Sequence, residues 1–209
     1  MRTLIALLVG CLISTTAFAG VPDDSRAEAQ LVHRSESEGG SAEADQAWRK
    51  ARIRPQDPRL ADLLRAGVAR SATFRAIVNR LEAGKMIVYV SLSPTMRSSL
   101  AGKLTWITEA GGFRYVRATI NTEQSGDQMI ATLAHELQHA LEVSDDVSVV
   151  DQRSLLGLYR RIGRPSYSGI NAAWETVAAQ QTGFQVRREL IASAAAAAAA
   201  AAASHYTQS

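Results

Sequence analysis

The chain has 209 residues, which is enough for one domain of ordinary size together with some sequence outside it. Its composition, 46% hydrophobic and 21% charged, is that of a soluble globular protein. The net charge of +3 arises from 23 basic and 20 acidic residues, and the arginines are scattered along the chain rather than clustered. This pattern argues against nucleic acid as a partner, because a nucleic-acid surface needs concentrated positive charge.

Residues 1–19 have the pattern of an export signal, with a basic residue near the start, an apolar stretch over residues 4–13 and a small-x-small cleavage site ending at Ala19. The apolar stretch is too short to favour a transmembrane helix. Cys11, the only cysteine, could instead mark lipoprotein cleavage, but apolar sequence continues beyond it. We therefore expect a periplasmic or extracellular protein that starts near Gly20 and has no stable membrane insertion.

Two compositionally biased segments flank the folded region. Residues 20–45 are rich in Ser, Glu, Ala and Gly with almost no large apolar side chains, which indicates a flexible linker or pro-segment. Residues 193–209 contain an unbroken run of alanine and predict a low-complexity tail that extends as a frayed helix. The folded domain is therefore placed at residues 46–192.

The folded region begins with two helical patterns. The first starts at Pro58, and Ser71 is the expected N-cap of the second, which runs through Leu81 and ends at Gly84. Segments rich in β-branched, aromatic and apolar residues follow and predict three strands, the last two joined as a hairpin through Gly111 and Gly112. These strands are predicted at residues 86–92, 104–108 and 113–120.

A capping box predicts the next helix, because Ser125 is followed three residues later by Gln128. The apolar residues of this helix recur every four positions and form one stripe: Met129, Leu133, Leu137 and Leu141. Two further helices are predicted for residues 151–162 and 171–191. Helices, then a small sheet, then more helices indicate an α+β fold.

The predicted helix contains the motif HExxH over residues 135–139. Residues four apart lie on the same face of a helix, so His135 and His139 can both reach one zinc ion. Glu136 is then in position to act as general base toward a zinc-activated water. The motif could also occur by chance on a solvent-exposed helix, but on a helical wheel the two histidines project roughly opposite the apolar stripe.

The segment from Thr132 to Leu141 resembles the extended zincin signature, with Thr three residues before the first histidine and uncharged residues at the variable positions. The resemblance implies a small twisted mixed β-sheet packed against the active-site helix, with further helices C-terminal to it. It also implies a zinc-dependent peptidase that acts on a peptide or protein substrate.

Two histidines and a water leave one zinc ligand to be found. Glu175 is our first choice, because Glu175 and Ala179 resemble the gluzincin pattern of a ligand Glu followed four residues later by a small residue. We expect Glu175 to open the last long helix. Asp145 is the alternative, since metzincin-like enzymes place their third ligand six residues after the second histidine. Those enzymes also need Gly at the position where this chain has Glu142. Glu142 and Asp145 could instead orient the histidines.

Two functions are compatible with this motif. The first is a secreted zinc peptidase that hydrolyses peptide bonds through a zinc-activated water. The alternative is a non-catalytic binding domain of the same fold that zinc only stabilises. Glu136 favours the enzyme, because a structural zinc site gains nothing from a carboxylate next to its first ligand and uses a fourth protein ligand instead of an open position.

Overall fold

The computed structural model describes residues 50–96, 100–166 and 173–206. The predicted export signal, Cys11 and the linker at residues 20–45 lie outside the described residues. The predicted strands are confirmed, and a short strand not predicted from the sequence precedes them. The four strands are β1 (Ile53–Pro55), β2 (Met86–Ser93), β3 (Gly102–Ala110) and β4 (Phe113–Asn121).

These strands form one mixed sheet in the order β1-β2-β4-β3. β2 pairs in parallel with β1 and β4, while β3 pairs antiparallel with β4 at the edge of the sheet. The predicted hairpin between β3 and β4 is confirmed. Gly111 and Gly112 have φ of 58° and 75°, the left-handed conformation that a tight hairpin turn requires and that glycine adopts without strain.

Five helices are present within the described residues, and their starts follow from recognisable caps. Side chains of Asp57, Ser71, Ser125 and Asp151 accept hydrogen bonds from backbone N–H groups of the first turns, which satisfies donors that a helix start leaves free. The helices are α1 (Pro58–Arg70), α2 (Ala72–Glu82), α3 (Gly126–Asp145), α4 (Gln152–Ile162) and α5 (Val177–Tyr206). No helix of the described chain is both long and apolar enough to cross a membrane.

The main difference from the sequence-based prediction lies before the last helix. Residues 173–175 form a short strand, β6 (Ala173–Glu175), which pairs antiparallel with β5 (Arg164–Ser166). The helix therefore starts at Val177 and not near residue 171, because the Thr176 hydroxyl caps it by accepting from the N–H of Ala179 at 3.1 Å. At its other end α5 continues without a break through the alanine run.

The core forms where α3 packs against the sheet and against α5. The predicted apolar stripe of α3 is confirmed, since Leu133, Leu137 and Leu141 are at most 2% exposed. Each such leucine contributes roughly 1.5–3 kcal/mol to folding through the apolar surface that it removes from water. Because this stripe holds α3 on the sheet, the opposite side of the helix is available to meet α5 and the segment before it. The fold is α+β, as expected.

Glu189 connects α5 to the start of α2. Its carboxylate accepts hydrogen bonds from the Ser71 hydroxyl at 2.5 Å, from the Thr73 hydroxyl at 2.6 Å and from the Thr73 N–H at 3.0 Å. Burial opposes ionisation, but these donors and Gln185 outweigh it and lower the pKa of Glu189 from 4.5 to about 2.

Glu189→Gln should therefore lower the free energy of unfolding by about 1–2 kcal/mol at pH 7. The folded-state pKa is depressed, so this stabilisation is complete above pH 4.5 and is lost as the pH falls toward about 2. Urea unfolding of both proteins at several pH values between 7 and 2.5 measures the difference. Glu109→Gln, which removes an exposed carboxylate of β3, should leave stability unchanged. If the stability difference between Glu189→Gln and wild type did not vary with pH, this would contradict a stabilising role of the ionised Glu189 carboxylate.

Candidate metal centre

The two histidines of the HExxH motif lie one turn apart on α3, as the spacing predicts. Their ring centroids are 4.8 Å apart, and the rings meet edge to face at 82°. The His135 side chain is 19% exposed and the His139 side chain 6%, so neither is a surface histidine. The interpretation of the motif as a pair of solvated side chains does not fit this burial.

Glu175 joins the two histidines from β6. One of its carboxylate oxygens, Oε2, lies 3.1 Å from Nε2 of His135, and single ligand atoms of the three residues all lie within 4.8 Å of one another. The predicted set of His135, His139 and Glu175 is thus brought together. The secondary-structure element that carries Glu175 differs from the predicted one. Glu175 ends a strand, whereas the sequence indicates that it opens a helix.

Asp145, the alternative third ligand, does not join this group. It is the last residue of α3, its side chain is 63% exposed, and its carboxylate pairs with Arg80 at 3.0 Å. The reason is geometric: α3 stays helical beyond His139, so a residue six positions later is rotated by about 240° from the histidine. The chain makes no turn that would bring Asp145 back.

Glu136 is buried beside the histidines and borders the cleft that leads to them. Glu136 is 4% exposed, and its Oε2 atom has no hydrogen-bond partner among the described residues. Burial raises the pKa of Glu136 to about 7, with His139 and His135 opposing the shift and Glu175 adding to it. A carboxyl group with such a pKa can both accept and release a proton near neutral pH.

Gly102, at the start of β3, allows this placement of Glu136. A Cβ atom at residue 102 would lie 2.6 Å from Oε1 of Glu136 and 2.9 Å from Cγ2 of Thr132, closer than real side chains approach. Only glycine lets the edge strand pass so near the motif. The sequence contains no local pattern that marks this glycine as part of the site.

The electrostatics of the group favour a cation. Burial by itself would lower the pKa of His135, but Glu175, Glu136 and Glu142 outweigh it and raise that pKa. Burial would likewise raise the pKa of Glu175, but the neighbouring histidines lower it. Three carboxylates close to two imidazoles thus concentrate negative charge where the ligand atoms converge.

A network behind His139 fixes the orientation of its ring. Nδ1 of His139 lies 2.8 Å from Oε2 of Glu142, and the Thr176 hydroxyl donates to the other Glu142 oxygen at 2.6 Å. The Tyr159 ring packs edge to face on the imidazole, with centroids 5.2 Å apart. Since Glu142 is an acceptor, Nδ1 carries the proton and Nε2 is left free to bind a metal. Glu142 therefore takes the orienting role that the sequence left open.

These residues fit a bound metal ion. Oε2 of Glu175 is buried and, although it lies 3.1 Å from Nε2 of His135, receives no well-aligned hydrogen bond from the described residues. A buried carboxylate oxygen without a well-aligned donor is costly unless a cation compensates it. Two imidazole nitrogens and this oxygen form such a set of ligands, so the group could hold a metal ion.

Comparison of the chain with protein-family models, with curated protein sequences and with solved structures finds no match.

A cleft of about 590 Å³ leads from solvent to His135, Glu136 and Glu175. One wall consists of residues 100–102, which lead into β3, and another consists of residues of α5 spaced at helical intervals. Sequence reasoning missed both walls, because their relation to the motif arises only from tertiary packing. The remaining lining residues come from α3 and the segment before it, together with Glu175.

Proposed function

We propose that this chain is a zinc-dependent peptidase with a gluzincin-like ligand set. His135, His139 and Glu175 would hold the metal, and Glu136 would act as general base. The observation that carries the proposal is the convergence of the three ligand atoms within 4.8 Å, with Glu136 bordering the same cleft.

The types of ligand favour zinc among the metals that such a group could hold. Imidazole nitrogens suit zinc, and three protein ligands with one open position are typical of catalytic rather than structural zinc sites. Structural sites use four protein ligands, whereas the described residues supply three. This difference is the main support for an enzyme over a non-catalytic domain that zinc only stabilises.

The proposed reaction needs a proton acceptor next to the metal, and Glu136 can provide it. Zinc, when bound, would supply Lewis-acid activation of a water molecule and of the substrate carbonyl. Glu136 would remove the proton from that water and later deliver it to the leaving amine. Burial of Glu136 suits the first step, because a desolvated carboxylate is a stronger proton acceptor than a solvated one.

The sheet edge beside Glu136 suits a peptide as substrate. β3 is an edge strand, and its first residue, Gly102, borders the cleft together with Glu136. An extended peptide can add to such an edge through backbone hydrogen bonds. Its backbone would then pass beside the general base, with the carbonyl to be attacked near His135 and His139.

Purified protein should contain close to one zinc per chain and should cut members of a peptide library. Replacing both His135 and His139 with Ala should abolish zinc binding and cleavage, because only Glu175 remains to hold the metal. Metal analysis by mass spectrometry and library digestion with and without a chelator measure both properties. Gln138→Ala, between the two histidines and outside the ligand group, is the matched control and should keep zinc.

Two results would contradict the proposal at different points. Full zinc content in the double histidine variant would exclude this metal site. Stoichiometric zinc without cleavage of any library peptide would instead favour the non-catalytic binding domain.

A further inference from the structure

One face of α5 forms a wall of the cleft. The residues of this face are spaced i, i+3, i+4 and i+7, so they lie on one side of the helix: Gln180, Gly183, Phe184 and Arg187. Gly183 is level with the metal ligands, since a Cβ atom there would lie 3.5 Å from Cβ of His135. Arg187 lies four residues further, about 6 Å along the helix axis.

Arg187 is a cation of this cleft that has no partner among the described residues. It is exposed, and it has no ion pair, hydrogen bond or aromatic contact with any residue that the structure describes. Its neighbour Arg188, by contrast, donates to the side chain of Gln185. Arg187 is also the only lysine or arginine among the described residues that line the cleft. A guanidinium group presents paired N–H donors that match the two oxygens of a carboxylate.

The surroundings of Arg187 support a role in binding. Phe184, one turn back along the same face, is 68% exposed, which is unusual for so large an apolar side chain. The other exposed ionisable side chain of the cleft, Glu123, comes from the segment between β4 and α3 and not from α5. The α5 wall thus offers an apolar surface followed by a positive charge, beginning at the metal ligands.

We propose that Arg187 determines specificity by binding a carboxylate of the substrate about two residues after the bond that is cut. This inference rests on the proposed peptidase function. The spacing follows from the helix: about 6 Å along α5 corresponds to about two residues of extended peptide, at about 3.3 Å per residue. The carboxylate can come from the free C-terminus of a peptide or from an Asp or Glu side chain.

Four peptides that share one cleaved bond test the proposal and separate these two sources. The first ends two residues after that bond with a free carboxylate, and the second is its C-terminal amide. The third is longer and carries Asp at the same position, and the fourth replaces this Asp with Asn. Values of kcat and KM are measured for the zinc-loaded wild-type protein and for Arg187→Gln, Arg187→Lys and Arg188→Gln.

The wild-type protein should prefer at least one carboxylate peptide over its neutral twin by roughly 10- to 100-fold in kcat/KM. The pair that shows this preference identifies the source of the carboxylate. Arg187→Gln should remove the preference, mainly by raising KM for the carboxylate peptide far more than for its neutral counterpart. Arg187→Lys should keep part of the preference. Arg188→Gln, with the same loss of charge on the next residue, should behave like wild type.

Equal cleavage within both pairs by the wild-type protein would overturn the role of Arg187 and leave the peptidase function standing. Absence of any cleavage would contradict the peptidase function itself. Calorimetric binding of the same peptides to the zinc-loaded protein then decides the role of Arg187. The role is supported if a carboxylate peptide binds more tightly than its neutral counterpart and Arg187→Gln abolishes this difference. Equal binding of the two peptides in each pair overturns it.

Discussion

Glu136→Gln should lower kcat for peptide cleavage by about 10³-fold while the zinc content stays at one per chain. Gln keeps the shape of the side chain but cannot accept the proton of the attacking water, and loss of a positioned general base typically costs 10²- to 10⁴-fold. Glu136 is not among the three ligands, so the metal should remain. Steady-state kinetics and metal analysis of the same preparation measure the two effects.

The stability of this variant should be no lower than that of wild type. Glu136 is buried and its Oε2 atom has no donor among the described residues, so the charged form gains little from the fold. Its pKa, which burial raises to about 7, expresses the same fact, because the fold favours the neutral form of this carboxyl group over the ionised one. Thermal unfolding should confirm this, with Glu109→Gln as an exposed carboxylate control. Retained turnover in Glu136→Gln would assign the base to another residue.

The parts of the fold that could be predicted from the sequence are those that local chemistry determines. The side chains of Ser125 and Gln128 accept hydrogen bonds from two backbone N–H groups at one helix start, and this arrangement depends only on residues three apart. The positions of His135 and His139 on one face follow from helix geometry in the same way. The hairpin at Gly111 and Gly112 needs only two residues that tolerate positive φ. None of these features requires knowledge of distant contacts.

The other parts depend on contacts between residues far apart in the chain. β1 and β6 are three residues long, and such segments become strands only because a partner strand is present. The sequence therefore predicts Glu175 as a ligand but on a helix, whereas the residue ends a strand. The close approach of Gly102 to Glu136 and the position of Arg187 in the cleft likewise have no local signal. They arise when β3 and α5 pack against α3.

Glu175→Gln should lower zinc affinity by more than about 100-fold, whereas Asp145→Asn should leave it unchanged. Removing a residue that only orients a ligand already costs 10- to 100-fold, and Glu175 is the only carboxylate in the ligand group. Asp145 is exposed and pairs with Arg80, so its loss should cost at most about 1 kcal/mol of stability. Both substitutions keep the shape of the side chain and remove one negative charge, which makes Asp145→Asn a matched control.

A competition assay with a chromophoric chelator measures the affinities, and thermal unfolding in zinc provides an independent measure. Zinc stabilises the folded state in proportion to the logarithm of its affinity, so a 100-fold loss should remove about 2.7 kcal/mol of zinc-dependent stability. Without zinc, Glu175→Gln should lower stability only modestly, because it removes the contact between the Glu175 carboxylate and His135. Release of zinc by Asp145→Asn but not by Glu175→Gln would replace the gluzincin-like ligand set with the metzincin-like one. It would also require α3 to unwind after His139, since the intact helix directs Asp145 away from the histidines.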